Sequence, residues 1–186
     1  MTTTLNTQRK ASACEDIFYA AAPTSLGRVM VGATDRGICF LQFDDSDDKL
    51  LTQLVKEYPM ATWKPMPTED LPTFELWISD INDFLAGRTT QLRLPLDIHG
   101  TPFQSIVWHY LMEVPYGSLQ SYADVARGIG KPSAVRAVAS ACGNNKIALA
   151  IPCHRVVRGD GQLAGFKWGL ARKQALIALE KTTCKS

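Results

Sequence analysis

Apolar and polar positions alternate early in the chain and then change period. Residues 17–20, 28–34 and 38–43 are β-rich runs, each bounded by a turn signal: Pro23 to Gly27 after the first, Asp35-Arg36-Gly37 after the second. They read as three strands, the last two joined as a hairpin. From Asp47 to Tyr58 the period becomes helical, with Leu50, Leu51, Leu54 and Val55 on one face and acids at the positive end of the dipole. Trp63 falls in a short strand or loop, and Pro65, Pro67 and Pro72 break the chain before a second helix over about 73–86. Phe74, Trp77, Ile78, Ile81, Phe84 and Leu85 make the apolar face of that helix, and Gly87 ends it. Residues 92–96 alternate like an edge strand that tolerates Pro95.

After a linker at 97–102 the pattern is helical. Phe103, Ile106, Val107, Tyr110 and Leu111 define a helix over 103–114, which Pro115-Tyr116-Gly117 stops. Ser121 can cap a short helix to about Ile129, Gly130-Lys131-Pro132 makes a turn, and Ser133 opens another helix to about Cys142. Helix, glycine-containing turn, helix is the helix-turn-helix pattern. An uninterrupted apolar run, 147–151, reads as a buried strand or packed core segment that must stop at Pro152. A last helix spans about 170–181, with Leu170, Leu176, Ile177 and Leu179 as its apolar set. The expected fold is therefore α+β: a loose tail over 1–15, a small α/β support domain over 16–98, and a mostly helical domain with a helix-turn-helix over 99–186.

Composition narrows the setting. The 186 residues are 46% hydrophobic and 20% charged, as in a soluble globular protein. No window of 18 apolar residues suggests a membrane span, and residues 1–15 lack the apolar core of a secretion signal. The five cysteines, Cys14, Cys39, Cys142, Cys153 and Cys184, are scattered and odd in number, which favours reduced thiols in a cytoplasmic protein, or a nuclear one in a eukaryote. Cys14, Cys39 and His99 match no zinc-ligand spacing, so no metal is expected. Charge is uneven. Residues 1–99 hold nine basic and fourteen acidic side chains, whereas residues 100–186 hold eleven and four. A polyanionic partner for the second half would fit this asymmetry, as would a chance excess on solvated faces.

The chemistry concentrates where the apolar run ends, at Pro152-Cys153-His154-Arg155. A thiolate, not a thiol, is the nucleophile, and cationic neighbours lower a thiol pKa from about 8.5. His154 is the adjacent base. A buried structural cysteine is the competing reading, because free cysteine is among the most buried residue types. A hydrolase built on Cys153 and His154 is another, though it would leave the helix-turn-helix without a purpose.

Pro152-Cys153-His154-Arg155-Val156 resembles the active-site motif of the O6-alkylguanine-DNA alkyltransferases, which repair DNA by alkylating themselves. The resemblance extends upstream through Ser121-Tyr122, Gly130-Lys131-Pro132, 134–138 and Asn144-Asn145, and downstream through Gly165 and Gly169 to Glu180. It covers roughly residues 102–181.

Several roles follow from that resemblance. Cys153 accepts the alkyl group from O6 of guanine, with O4 of thymine a second source. His154 relays the thiol proton through water toward Glu180, and Asn145 bonds backbone near the motif and holds Cys153 in place. The Tyr122 hydroxyl donates to a ring nitrogen of the leaving base. Ser133, Ala134 and Arg136 belong to a helix set in the minor groove, near Lys131, with Arg136 filling the gap left by the flipped nucleotide. Cys142, Val156, Phe166, Lys167 and Trp168 line the base pocket, with Trp168 as its roof. Arg155 makes a structural ion pair or backbone contacts. No cofactor is implied, and the partner is double-stranded DNA carrying alkylated bases, bound by a monomer. A lesion-binding relative without transfer would lack the cysteine that this chain has. A regulator would carry a cysteine-rich sensing domain, and residues 1–98 lack clustered cysteines.

Overall fold

The computed structural model describes residues 15–163 and 165–184. Most of the expected tail, and Cys14 with it, lies outside the described residues. The fold is α+β. A four-stranded sheet has the order β3-β2-β1-β4, from β1 (Asp16–Thr24), β2 (Gly27–Thr34), β3 (Gly37–Asp44) and β4 (Thr62–Pro65). β1, β2 and β3 form an antiparallel meander, and β4 joins β1 in parallel. Gly37 starts β3 at φ +145, and a Cβ there would stand 2.8 Å from the backbone of Pro95, so the turn and the close approach both require glycine.

Both sheet faces are covered. Ile17, Met30, Phe40 and Cys39 pack with Leu50, Leu54 and Tyr58, from and just after α1 (Asp47–Glu57). Val29, Val31, Leu41 and Phe43 join a larger core with α2 (Leu71–Leu85) and the C-terminal helices. Two-sided burial explains why residues 38–41 are apolar without alternation. It also means that one core runs without a break from the sheet to the second half of the chain.

The expected edge strand at 92–96 does not form. Among the described residues only Leu96 makes a bridge, to Ile38, with Ile38 N–H donating to Pro95 O at 2.8 Å and Asp97 N–H to Ile38 O at 2.9 Å. Pro95 has no N–H to continue a ladder. The apolar run at 147–151 is likewise a packed core segment rather than a strand. It meets β3 at the single bridge Leu41–Ile147 and then turns, with Leu149 at φ +64.

Beyond the linker come α3 (Pro102–Met112), β5 (Gln120–Ser121), α4 (Tyr122–Gly128), α5 (Val135–Gly143), β6 (Val156–Val157) and α6 (Leu170–Thr183). Thr101 and Ser121 each close a capping box at the start of α3 and α4. Ser133 does not open α5. The chain turns through Lys131 to Ala134, and Ala134 takes the N-cap position without a side-chain bond. The buried stripe of α3 is Val107, Trp108 and Leu111, whereas Ile106 is 45% exposed. The helix is turned toward Trp108 because the indole N–H donates to Ala141 O at 2.9 Å, tying α3 to α5. α6 buries Lys173, Leu176 and Glu180 on one stripe, and its expected anchor Leu170 is 47% exposed.

Candidate active site

The site is assembled by backbone turns that the apolar run cannot avoid once it leaves β3. Asn145 follows the C-cap of α5 and is fully buried. Its side-chain oxygen accepts from Ile147 N–H at 2.9 Å, and its amide donates to Ile151 O at 2.9 Å and to Cys153 Sγ at 3.2 Å. Pro152, at φ −80 and ψ 60, is the centre of a tight three-residue turn, closed by Cys153 N–H to Ile151 O at 2.8 Å. A single 3₁₀ turn, Cys153–Arg155, then carries the three side chains, all of them buried.

His154 and Arg155 both turn toward Glu180 of α6. His154 Nε2 lies 2.7 Å from Glu180 Oε1. Arg155 forks onto the same carboxylate, with Nε at 3.0 Å from Oε2 and Nη2 at 3.0 Å from Oε1, while its Nη1 donates to Val114 O at 2.6 Å. Gly117 N–H supplies a further donor to Glu180 Oε2 at 2.9 Å. Burial alone would raise the Glu180 pKa, but the bonds from His154 and Arg155 prevail and hold it at about 2. An ionised acceptor fixes the imidazole tautomer. Nε2 carries the proton, and Nδ1, which has no hydrogen-bond partner among the described residues, offers its lone pair. Complete burial lowers the His154 pKa against the pull of Glu180, so the ring is neutral at neutral pH.

The expectation of a thiol acidified by cationic neighbours is corrected. Cys153 is 5% exposed, and burial pushes its thiol up to about 11, with the Asn145 amide and the Lys173 charge opposing that rise. Arg155 gives it no help, because its guanidinium is committed to Glu180. Tyr122, the first residue of α4, is set beside this turn by parallel pairing of β5 with β6: Gln120 faces Val156 and Ser121 faces Val157. Burial raises its phenol to about 12, which keeps it a proton donor.

Among the described residues one other group of ligating side chains draws together: Glu15, Asp97 and His99, whose ligand atoms lie within 4.8 Å of one another. Arg36 already pairs with both of these carboxylates, and a cation there would have to displace it. A cavity of about 490 Å³ lies behind the motif, lined by Pro152, Arg155, Leu149, Val114 and Tyr116, and Cys153 is not in its wall.

Two sequence-family models together match most of the chain. One, described as the ribonuclease-like domain of 6-O-methylguanine DNA methyltransferase, covers residues 17–98, and the other, the DNA binding domain of the same protein, covers 102–182. The chain belongs to the 6-O-methylguanine DNA methyltransferase family. It is 48% identical over 162 residues to the bifunctional transcriptional activator/DNA repair enzyme Ada of Escherichia coli, covering 87% of this chain and 45% of that protein. It therefore spans about half the length of that relative. It is 36% identical over 164 residues to the inducible methylated-DNA–protein-cysteine methyltransferase of Bacillus subtilis, covering 88% of this chain and 84% of that one. The crystal structure of Mycobacterium tuberculosis OGT in complex with DNA superimposes with a TM-score of 0.75 at 32% identity, covering 89% of this chain and 94% of the other.

Placed on this methyltransferase fold, the remaining predicted residues divide into surface and core. Lys131 and Ser133 are exposed in the turn between α4 and α5, Ala134 is half-buried, and Arg136 is exposed on the first turn of α5. Cys142 and Val156 are buried, and the Val156 carbonyl accepts from Lys173 Nζ at 2.6 Å. Trp168 is buried. It is 4% exposed within the main core, its ring edge-on to half-buried Phe166 at 5.0 Å between centroids. Lys167 reaches away from both rings to Glu57.

Sequence reading passed over Lys173. It is 1% exposed, and its ammonium opposes the rise that burial gives the thiols of both Cys153 and Cys142. Its signal was its spacing: Lys173, Leu176 and Glu180 share one helical stripe, so one face of α6 brings two opposite charges into the core.

Proposed function

We propose that this protein removes a methyl or other alkyl group from O6 of guanine, and from O4 of thymine, in double-stranded DNA, and carries it permanently on Cys153. The observation that supports this reading is the arrangement at the motif: Asn145 donates to Cys153 Sγ at 3.2 Å, and the next residue, His154, carries a neutral imidazole whose Nε2–H is committed to Glu180 at 2.7 Å. Only Nδ1 of His154 is left to take the thiol proton. Among the described residues no hydrogen bond joins it directly to Cys153, so the proton travels through solvent. The thiolate sulfur then forms a bond to the alkyl carbon as the carbon–oxygen bond breaks. The electron pair passes into the base, and the Tyr122 phenol donates a proton to a base nitrogen. A thioether has no easy leaving group, so each molecule acts once.

The duplex must release the base to this buried thiol, at a cost of a few kcal/mol. Arg136, on the exposed start of α5, takes the place of the flipped nucleotide, and Lys131, Ser133 and Ala134 meet the backbone around it. Residues 16–98 support the transferase unit at 99–186. The protein works as a monomer in the cytoplasm, or in the nucleus of a eukaryote, and the chemistry calls for no cofactor because donor and acceptor are the DNA and the thiol. Among the described residues no helix is long and apolar enough to cross a membrane.

The test is a titration of a duplex carrying one O6-methylguanine against a fixed amount of protein, read by intact and peptide mass. The expected result is a plateau at about one methyl per chain, on Cys153, and none on Cys153→Ala, which still binds DNA. Methyl groups on another cysteine, or turnover well beyond one equivalent, would overturn the reading.

A further inference from the structure

The last residue of α1, Glu57, lies in the support half of the chain, yet it stands three hydrogen-bond steps from the nucleophile. Its Oε1 accepts from Lys167 Nζ at 2.6 Å. The same ammonium donates to the backbone carbonyl of Asn145 at 3.1 Å. The Asn145 side chain donates to Cys153 Sγ at 3.2 Å. Glu57 also holds the residue next to Asn145: Lys146 Nζ donates to the Glu57 carbonyl at 3.4 Å, lies 3.8 Å from its Oε2, and sits 4.3 Å over the Tyr58 ring. Two lysines therefore bracket Asn145, one before α6 in sequence and one directly beside it, and a single carboxylate from α1 anchors both.

The placement is partly shielded. Side-chain exposure is 23% for Glu57, 21% for Lys167 and 22% for Lys146. Pairs in such positions are screened less by salt than fully solvated ones. The cation over the end of α1 is also favoured by the helix dipole. Lys146 and Lys167 contribute to the basic balance of the second half, and both pair with the single carboxylate of Glu57.

We propose that Glu57 is a positioning residue for alkyl transfer: through Lys167 and Lys146 it fixes Asn145, and so the bond from Asn145 to Cys153 Sγ, and it pins the loop that carries Phe166 and Trp168. This rests on the reading of Cys153 as the acceptor. Without the carboxylate the two ammonium groups repel each other across Asn145, and the asparagine loses its fixed backbone. The thiol then loses a donor that stabilises its ionised form.

The experiment uses the full chain and the variants Glu57→Gln, Lys167→Met and the double substitution. Single-turnover transfer from a duplex with one O6-methylguanine is separated into DNA affinity and limiting transfer rate. In parallel, methylation of Cys153 by methyl iodide, which needs no DNA, is followed against pH by peptide mass. Glu57→Gln is expected to slow the limiting transfer rate about tenfold at unchanged DNA affinity and melting temperature, and to move the methyl iodide profile to higher pH. The double variant is expected to lose less than the product of the two single losses, because Lys167 lies on one of the two routes from Glu57 to Asn145. An unchanged transfer rate and pH profile, a loss accounted for by DNA affinity, or additive effects would each overturn the proposal. Should Glu57→Gln fail to fold, Lys167→Met takes the same measurements with the same deciding outcomes. If the natural chain takes no methyl from DNA while Glu57→Gln still moves the methyl iodide profile, the transfer reading fails and the positioning role stands.

Discussion

His154 and Glu180, 26 positions apart, share a 2.7 Å hydrogen bond in a site where the imidazole is fully buried and the glutamate 2% exposed. Because the same carboxylate receives Arg155 and the Gly117 amide, it is ionised and fully satisfied, and it cannot leave the imidazole for another partner. The imidazole ring is thus held by a group whose own charge is balanced elsewhere.

The pH dependence of transfer follows from this. With the Cys153 thiol near 11 and the His154 pKa lowered by burial, the resting pair at neutral pH is thiol and neutral imidazole. The transfer rate should be level across neutral pH and fall only when acid protonates His154, with a midpoint below 6.5, its ordinary value. His154→Gln should instead give a rate rising about tenfold per pH unit toward the thiol pKa. Single-turnover rates from pH 5 to 9 decide it. A natural chain that also climbs steadily would remove His154 as the base.

Acid should unfold the protein through the same cluster. Glu180 is depressed from 4.5 to about 2, so its stabilising effect is complete above 4.5 and is lost as pH falls toward 2. His154, also depressed, adds loss in the same direction below 6.5, because the unfolded chain takes up a proton that the folded one refuses. Glu180→Ala leaves Arg155 buried without its partner and should cost about 3–5 kcal/mol at neutral pH. Urea melts at pH 7 and pH 4 test both statements. If the natural chain and the variant lost equal stability between these pH values, the glutamate would not be the acid-sensitive group.

Arg136→Ala should slow repair of duplex DNA far more than reaction with the free modified base, since Arg136 is exposed at the start of α5 and distant in role from the thiol chemistry. Rate constants on both substrates measure it. Equal losses would place Arg136 in the chemistry or the fold rather than in the DNA gap.

Trp168→Gly should be costly to stability before it is informative about substrate size. The indole is buried against Phe166, and deleting it opens a large hole in the main core, a change that typically costs about 3–5 kcal/mol. A thermal melt should drop clearly, and Trp168→Phe should recover much of the loss. A melting point unchanged in Trp168→Gly would mean that the ring is not packed as described.

The sequence by itself determined what depends on neighbouring residues. Strand and helix periods, the capping residue Ser121, the glycine turn at Gly37 and the helix-turn-helix were all readable, because each is set within a few residues. So was the motif from Pro152 to Val156, whose residue types resemble a family of known chemistry. Local pattern misled where long-range packing decides. Residues 92–96 alternate but meet β3 only through Pro95 and Leu96, and α3 turns its Trp108 inward to reach Ala141. Above all, the electrostatics of the site could not be read along the chain. His154 and Arg155 beside Cys153 suggested an acidified thiol, whereas the fold sends both to Glu180, brings Lys173 in from α6, and reaches across with Glu57 from α1. Charge acts through space and through burial, and only the tertiary structure sets which charges are close and which are dry.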